Sequence, residues 1–120
     1  MTRTTDAAAA VREHVRAFNA RDVDGLLTGF TEDAVWITGS TTVRGRAALR
    51  EFFGEAMRGL LPTLEVRDLI VEGTRAACQM TETLTYGGET RSYPIAAFYV
   101  LRDGLVAAAK VYREGSADVV

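Results

Sequence analysis

Two side chains stand out for their chemistry. Between residues 74 and 86, Ala76, Cys78, Met80, Glu82, Leu84 and Tyr86 alternate with Arg75, Ala77, Gln79, Thr81, Thr83 and Thr85. A strand here puts Glu82 in the middle of the more apolar face. A carboxylate stripped of water in such a place resists being charged, which suits it to take up or give a proton near neutral pH. The plainer alternative is a carboxylate hydrated at an open strand end or paired with an arginine. The second candidate is His14, the one histidine of the chain. Val11, His14, Val15 and Phe18 recur at the i, i+3, i+4, i+7 spacing of one helix face. The imidazole therefore points inward, either to shuttle a proton or to serve as a core residue. Placed side by side, Glu82 and His14 would form a dyad in which each favours charge on the other.

Other chemistries are disfavoured by what the chain contains. One histidine and one cysteine, Cys78, cannot build a zinc site, and a lone cysteine cannot form an internal disulfide. No metal is expected, and Cys78 reads as inert packing, since nothing near it in sequence would stabilise a thiolate. The phosphate-cradling G-x-x-x-x-G-K-S/T, the G-x-S-x-G elbow and the H-E-x-x-H pair are missing from the sequence. Fourteen basic against sixteen acidic residues give a net charge of -2, without the positive excess that attracts nucleic acid or anionic membranes. Neither partner is expected.

The elements that would position these residues follow from periodicity. A chain of 120 residues with 48% hydrophobic and 25% charged residues predicts one folded domain over 1–120, structured over about 6–114, with 115–120 as a loose tail. Thr5 is the expected cap of a helix over about Asp6 to Ala20, and Asp22 caps a short second helix carrying Val23, Leu26, Leu27 and Phe30. Ala34 to Ser40 alternates as a strand, and Gly39 to Gly45 reads as a turn region. A third helix runs from Arg46 to about Leu60 with an apolar face that includes Leu49, Phe52, Phe53 and Met57, and Pro62 stops it. Four strands follow, at about 64–72, 74–86, 90–102 and 105–114, separated by Gly73, Gly87-Gly88 and Asp103-Gly104. Such short turns require antiparallel pairing. The class predicted is α+β, with a curved, mainly antiparallel sheet wrapped around three helices from the N-terminal half. No stretch approaches the ~20 apolar residues of a membrane span, and the N-terminus lacks an apolar leader core, so a soluble cytoplasmic protein is expected.

Several runs carry a family resemblance. Phe18-Asn19-Ala20-Arg21-Asp22-Val23-Asp24-Gly25-Leu26-Leu27, with Phe30-Thr31-Glu32-Asp33-Ala34-Val35, resembles the opening of ketosteroid-isomerase-like and SnoaL-like proteins of the nuclear-transport-factor-2-like superfamily. Gly45-Arg46-Ala47-Ala48-Leu49-Arg50-Glu51-Phe52-Phe53 and Pro94-Ile95-Ala96-Ala97-Phe98 strengthen it, and the similarity runs from about residue 6 to 114. The resemblance implies a conical α+β barrel with a deep, mostly apolar pocket, and a homodimer joined through the outer sheet face.

Carried over position by position, the resemblance also implies losses. The helix-1 tyrosine of ketosteroid isomerases falls on His14, their first-strand aspartate on Thr38, and their acid after Pro-Ile on Ala96. A methyl group donates no hydrogen bond and a threonine hydroxyl is no unaided base, so standard ketosteroid isomerisation is not expected. In the last strand, the inward aspartate of epoxide hydrolases and many SnoaL-like cyclases is replaced by Val111. The substrate-facing set implied is Trp36, Thr38, Phe53, Met57, Met80, Leu84, Ala96, Phe98 and Val111, although Trp36, Phe53, Met57 and Phe98 would also serve as plain core and Thr38 as a plain strand residue. Tyr93, Tyr99, Lys110 and Tyr112 are expected to face outward. The function implied is cofactor-free acid–base proton transfer on an apolar small molecule, of isomerisation, cyclisation or hydration type, by Glu82 with help from His14. The alternative is a non-catalytic dimeric binding module that kept the pocket and lost the acids.

Overall fold

A computed structural model describes residues 6–113. Its order is α1 (Ala7–Asn19), α2 (Val23–Thr28), β1 (Phe30–Thr38), β2 (Thr41–Arg44), α3 (Arg46–Arg58), β3 (Thr63–Glu72), β4 (Arg75–Tyr86), β5 (Glu89–Arg102) and β6 (Leu105–Arg113). The six strands form one sheet in the order β2-β1-β6-β5-β4-β3. All neighbours are antiparallel except β1 and β6, which run parallel. The sheet curves without closing, and its concave face carries the helices, giving the α+β cone.

Local chemistry sets the helix ends. The Asp6 carboxylate accepts from the Ala9 amide at 3.2 Å and caps α1, a role expected of Thr5, which lies outside the described residues. Asp22 caps α2 by accepting from the Gly25 amide at 2.9 Å. The Asn19 side chain then clamps the end of α1 to β3, donating to the Leu64 carbonyl and accepting from its amide, each at 2.8 Å. Between helices and sheet lies a core that includes Val11, Leu26, Phe30, Leu49, Phe53, Met80 and Tyr99, all 2% exposed or less.

Two strand expectations change. β1 begins at Phe30 rather than Ala34, because the register shifts between Phe30 and Val35 while Glu32 and Asp33 stay exposed. The segment expected as a turn contains a strand: Thr41–Arg44 pairs with Val35–Thr38 around the tight Gly39-Ser40 connection, with Gly39 at φ 58°. Its exposed polar residues mask it as a loop. Among the described residues no helix is long and apolar enough to cross a membrane.

Candidate functional site

The inner face is built by cross-strand neighbours, which share a face. Gly87-Gly88 turns the chain so that Tyr86 faces Glu89, and the ladder then sets Leu84 opposite Arg91, Glu82 opposite Tyr93, Met80 opposite Ile95, Cys78 opposite Ala97 and Ala76 opposite Tyr99. On β6, Ala109 lies beside Tyr99, Val111 beside Ala97 and Arg113 beside Ile95. β1 adds Trp36 next to Ala109 and Thr38 next to Val111.

This register corrects two of the substrate-facing residues and two of the tyrosines. Ala96 and Phe98 belong to the opposite parity of β5 and face out; Phe98 is 53% exposed and meets Tyr112 edge-on at 5.7 Å. Tyr93 and Tyr99, expected outside, point in, and Tyr99 is buried. The cause is a strand whose two faces are both apolar, Ile95, Ala97, Tyr99 and Leu101 on one side and Ala96, Phe98 and Val100 on the other. Lys110 and Tyr112 do face out, with the Lys110 ammonium 4.9 Å from the Tyr112 ring centroid.

Glu82 occupies the inner face of β4 at 5% exposure. Its partner is Arg113, which sequence reasoning left out. The guanidinium Nη2 donates to Oε2 at 3.0 Å, Nε donates to Oε1 at 3.4 Å, and Nη1 reaches across to the Thr38 hydroxyl at 2.7 Å. One half-exposed arginine therefore ties a buried carboxylate to the end of β1. The two-pronged contact fixes the carboxylate plane as a single bond would not. Thr38 accepts from Arg113 and keeps its own proton free to donate.

His14 lies in a different part of the cone. Its ring packs against Trp36 at 5.4 Å and against Phe30 and Tyr99 at 5.6 Å, and Phe53 closes on Trp36 at 5.1 Å. Burial lowers its pKa to about 4, with no neighbouring charge contributing, so the imidazole is neutral at pH 7. Burial likewise pushes the Tyr99 phenol up. Along β5, Tyr99 and Tyr93 are six residues apart, about 20 Å of strand at ~3.3 Å per residue. Among the described residues no hydrogen bond or ion pair links Glu82 to His14, and the polar contacts of Glu82 go to Arg113, which also donates to Thr38. Met80 and Val111 are buried on the inner face, Met57 packs half-buried against the core, and Leu84 is half-buried toward the open end. Cys78 is buried and free, its thiol pushed up to about 11 by burial.

The neutral histidine makes stability depend on pH. The unfolded chain protonates His14 below about 6.5 and the folded protein only near 4, so the unfolded state holds the extra proton between those values and stability falls with pH across that window. A loss of about 2 kcal/mol between pH 7.5 and pH 5 is expected, at ~1.4 kcal/mol per pKa unit. Urea titrations at the two pH values check it, and His14→Phe should remove most of the difference.

A curved α+β cone with three helices on its concave face defines a protein of the nuclear-transport-factor-2-like class. The chain belongs to the SnoaL-like domain family, whose model matches residues 11–109. It is similar to the epoxide hydrolase/cyclase-like enzyme SalBIII of pyran ring formation in polyether salinomycin, at 23% identity and TM-score 0.82, covering 95% of this chain and 97% of that one. A putative polyketide cyclase from Xanthomonas campestris pv. campestris is 25% identical at TM-score 0.76, covering 90% of each chain. An LEH-like epoxide hydrolase of M. tuberculosis superposes at TM-score 0.83 with 18% identity, covering 92% of this chain and 84% of that one.

Proposed function

We propose that this protein is a small-molecule enzyme in which Glu82 moves a proton on an apolar ligand bound against the inner face of the cone, in an isomerisation, cyclisation or hydration. The observation that carries this reading is the placement of Glu82: a carboxylate 5% exposed, on the concave face, held by Arg113. Structural similarity to proteins described as cyclase and epoxide hydrolase is in keeping with it. Arg113 sets the direction of the carboxylate, Thr38 offers a hydroxyl to a ligand oxygen, and Trp36, Phe53, Met57, Met80, Leu84 and Val111 supply apolar contact. His14 takes part as a neutral group, donating an N–H to a ligand oxygen rather than sharing a proton with Glu82. Proton transfer of this kind needs no cofactor. Mass spectrometry of any small molecule retained through purification would supply a candidate substrate. Turnover of that ligand by wild type, with loss of turnover but not of binding in Glu82→Gln, supports the reading; equal turnover in both refutes it.

One observation favours the non-catalytic binding module instead: both Glu82 oxygens already face Arg113, as in a structural ion pair. In that case Glu82→Gln changes affinity alone, and no ligand is converted by wild type.

We also propose a homodimer joined through the outer face of the sheet. Its support is the set Ile70, Phe98, Val100 and Tyr112, each at least 43% exposed, on a face where large contiguous apolar patches mark interaction sites. Sedimentation should give twice the chain mass of 13.0 kDa, and Phe98→Glu should shift the population to monomer. A wild-type monomer at micromolar concentration contradicts it.

A further inference from the structure

β3 begins beside Glu82. The first rungs of its ladder with β4 are Thr63 opposite Thr83 and Leu64 opposite Glu82, and β3 is an end strand of the sheet. Leu64 gives both of its main-chain groups to Asn19 at the end of α1: the Asn19 amide nitrogen donates to the Leu64 carbonyl and the amide oxygen accepts from the Leu64 N–H, each at 2.8 Å. In an antiparallel ladder the N–H and the carbonyl of one residue point to the same side. Those of Leu64 therefore point away from β4, and Leu64 with Glu82 is a non-hydrogen-bonded pair, the closer kind, with Cα atoms about 4.5 Å apart and the side chains drawn together. Leu64 packs half-buried against the core, so it walls the carboxylate on the β3 side as Tyr93 does on the β5 side. The residues before it are gripped from the same turn of chain. Arg21 adopts a left-handed φ of 59°, which a residue other than glycine seldom does, and from there it donates to the Leu61 carbonyl at 2.6 Å and the Pro62 carbonyl at 3.2 Å. The run Phe18 to Asp22 is thus a clasp on residues 61–64, at a strand end of the kind that frays when nothing ties it down.

We propose that Asn19 is a positioning residue for Glu82: by fixing Leu64 at the start of β3 it keeps water from that side of the carboxylate. The inference rests on the reading of Glu82 as the proton-moving group, for which a water-poor surrounding is the requirement. Without the clasp, Thr63 and Leu64 peel from β4, water reaches Glu82, and its pair with Arg113 takes on the character of a surface pair.

A double-mutant cycle tests this without any ligand. Urea denaturation is measured for wild type, Asn19→Ala, Arg113→Ala and the double variant. With Glu82 dry, Arg113→Ala should lower the folding equilibrium constant about 100-fold, because a buried charge is left unpaired. In the Asn19→Ala background the carboxylate is hydrated, and the same change should cost no more than about fivefold, the worth of an exposed pair. A bond that merely fastens α1 to β3 would leave the two effects independent, since Asn19 and Arg113 share no partner. Asn19→Asp keeps the acceptor for the Leu64 N–H and loses the donor for its carbonyl, so it should give an intermediate cost, and it carries the cycle where Asn19→Ala does not fold. An equal cost of Arg113→Ala in every background overturns the proposal. The two readings fail separately. Equal costs remove Asn19 and leave Glu82 to its turnover test; coupling together with full turnover in Glu82→Gln removes Glu82 from the chemistry and keeps Asn19 as the guard of its ion pair.

Discussion

Replacing Arg113 with alanine is expected to destabilise the protein by about 3 kcal/mol. Removing one member of a buried ion pair costs ~3–5 kcal/mol because the other charge stays behind without a partner. Here the member left behind is Glu82, whose side chain is 7% exposed, while that of Arg113 is 47% exposed, which places the effect at the low end. Thr38 also loses its 2.7 Å contact, so the end of β1 loosens from the sheet interior. The control is the double variant Glu82→Leu with Arg113→Leu. Replacing both charges by apolar groups removes the uncompensated carboxylate and should return stability to within about 1 kcal/mol of wild type. Urea denaturation of the three proteins measures this. A single variant as stable as wild type would mean that Glu82 reaches water by another route.

The second large effect is on chemistry. Glu82→Gln keeps the side-chain volume and one acceptor oxygen for Arg113, but it removes the proton acceptor. General acid–base catalysis contributes ~10²–10⁴-fold, so turnover should fall by about that factor with ligand affinity within a few-fold. Glu82→Ala is a poorer test, because it also frees Arg113 and opens a void beside Met80 and Tyr93. An effect confined to Glu82→Ala would point to packing rather than proton transfer.

The residues that make these predictions differ in how visible they are in the sequence. The inward direction of Glu82 is legible because β4 alternates between an apolar and a threonine-rich face. The inward turn of His14 is equally plain, since helical spacing joins it to Val11 and Val15. β5 gives no such signal: apolar residues occupy both faces, one toward the core and one outward, and alternation alone leaves the strand free to be read either way round. The missing information is in the turn. Counting outward from Gly87-Gly88 pairs Glu82 with Tyr93 and Cys78 with Ala97, which turns Ala96 and Phe98 to the outside. The position of Arg113 is half legible, because it lies two residues beyond the inward Val111. Its meeting with Glu82 depends on a register shift between Val100 and Leu101 that moves β6 by one residue against β5, and no residue pattern announces it. The separation of His14 from Glu82 is a matter of tertiary placement: α1 crosses the sheet where Trp36 and Tyr99 lie, and periodicity fixes a face without fixing a position along the strands.

The most direct measurement is proton exchange on the native ligand. The protein, loaded with a small molecule that mass spectrometry finds retained through purification, is transferred to deuterated water and the ligand mass is followed with time. Wild type should introduce deuterium at one carbon-bound position far faster than the free ligand exchanges, and Glu82→Gln with the same ligand bound should not exceed the free rate. Equal labelling by the two proteins, or a wild-type ligand that stays unlabelled and unconverted, would contradict Glu82 as the proton-moving group.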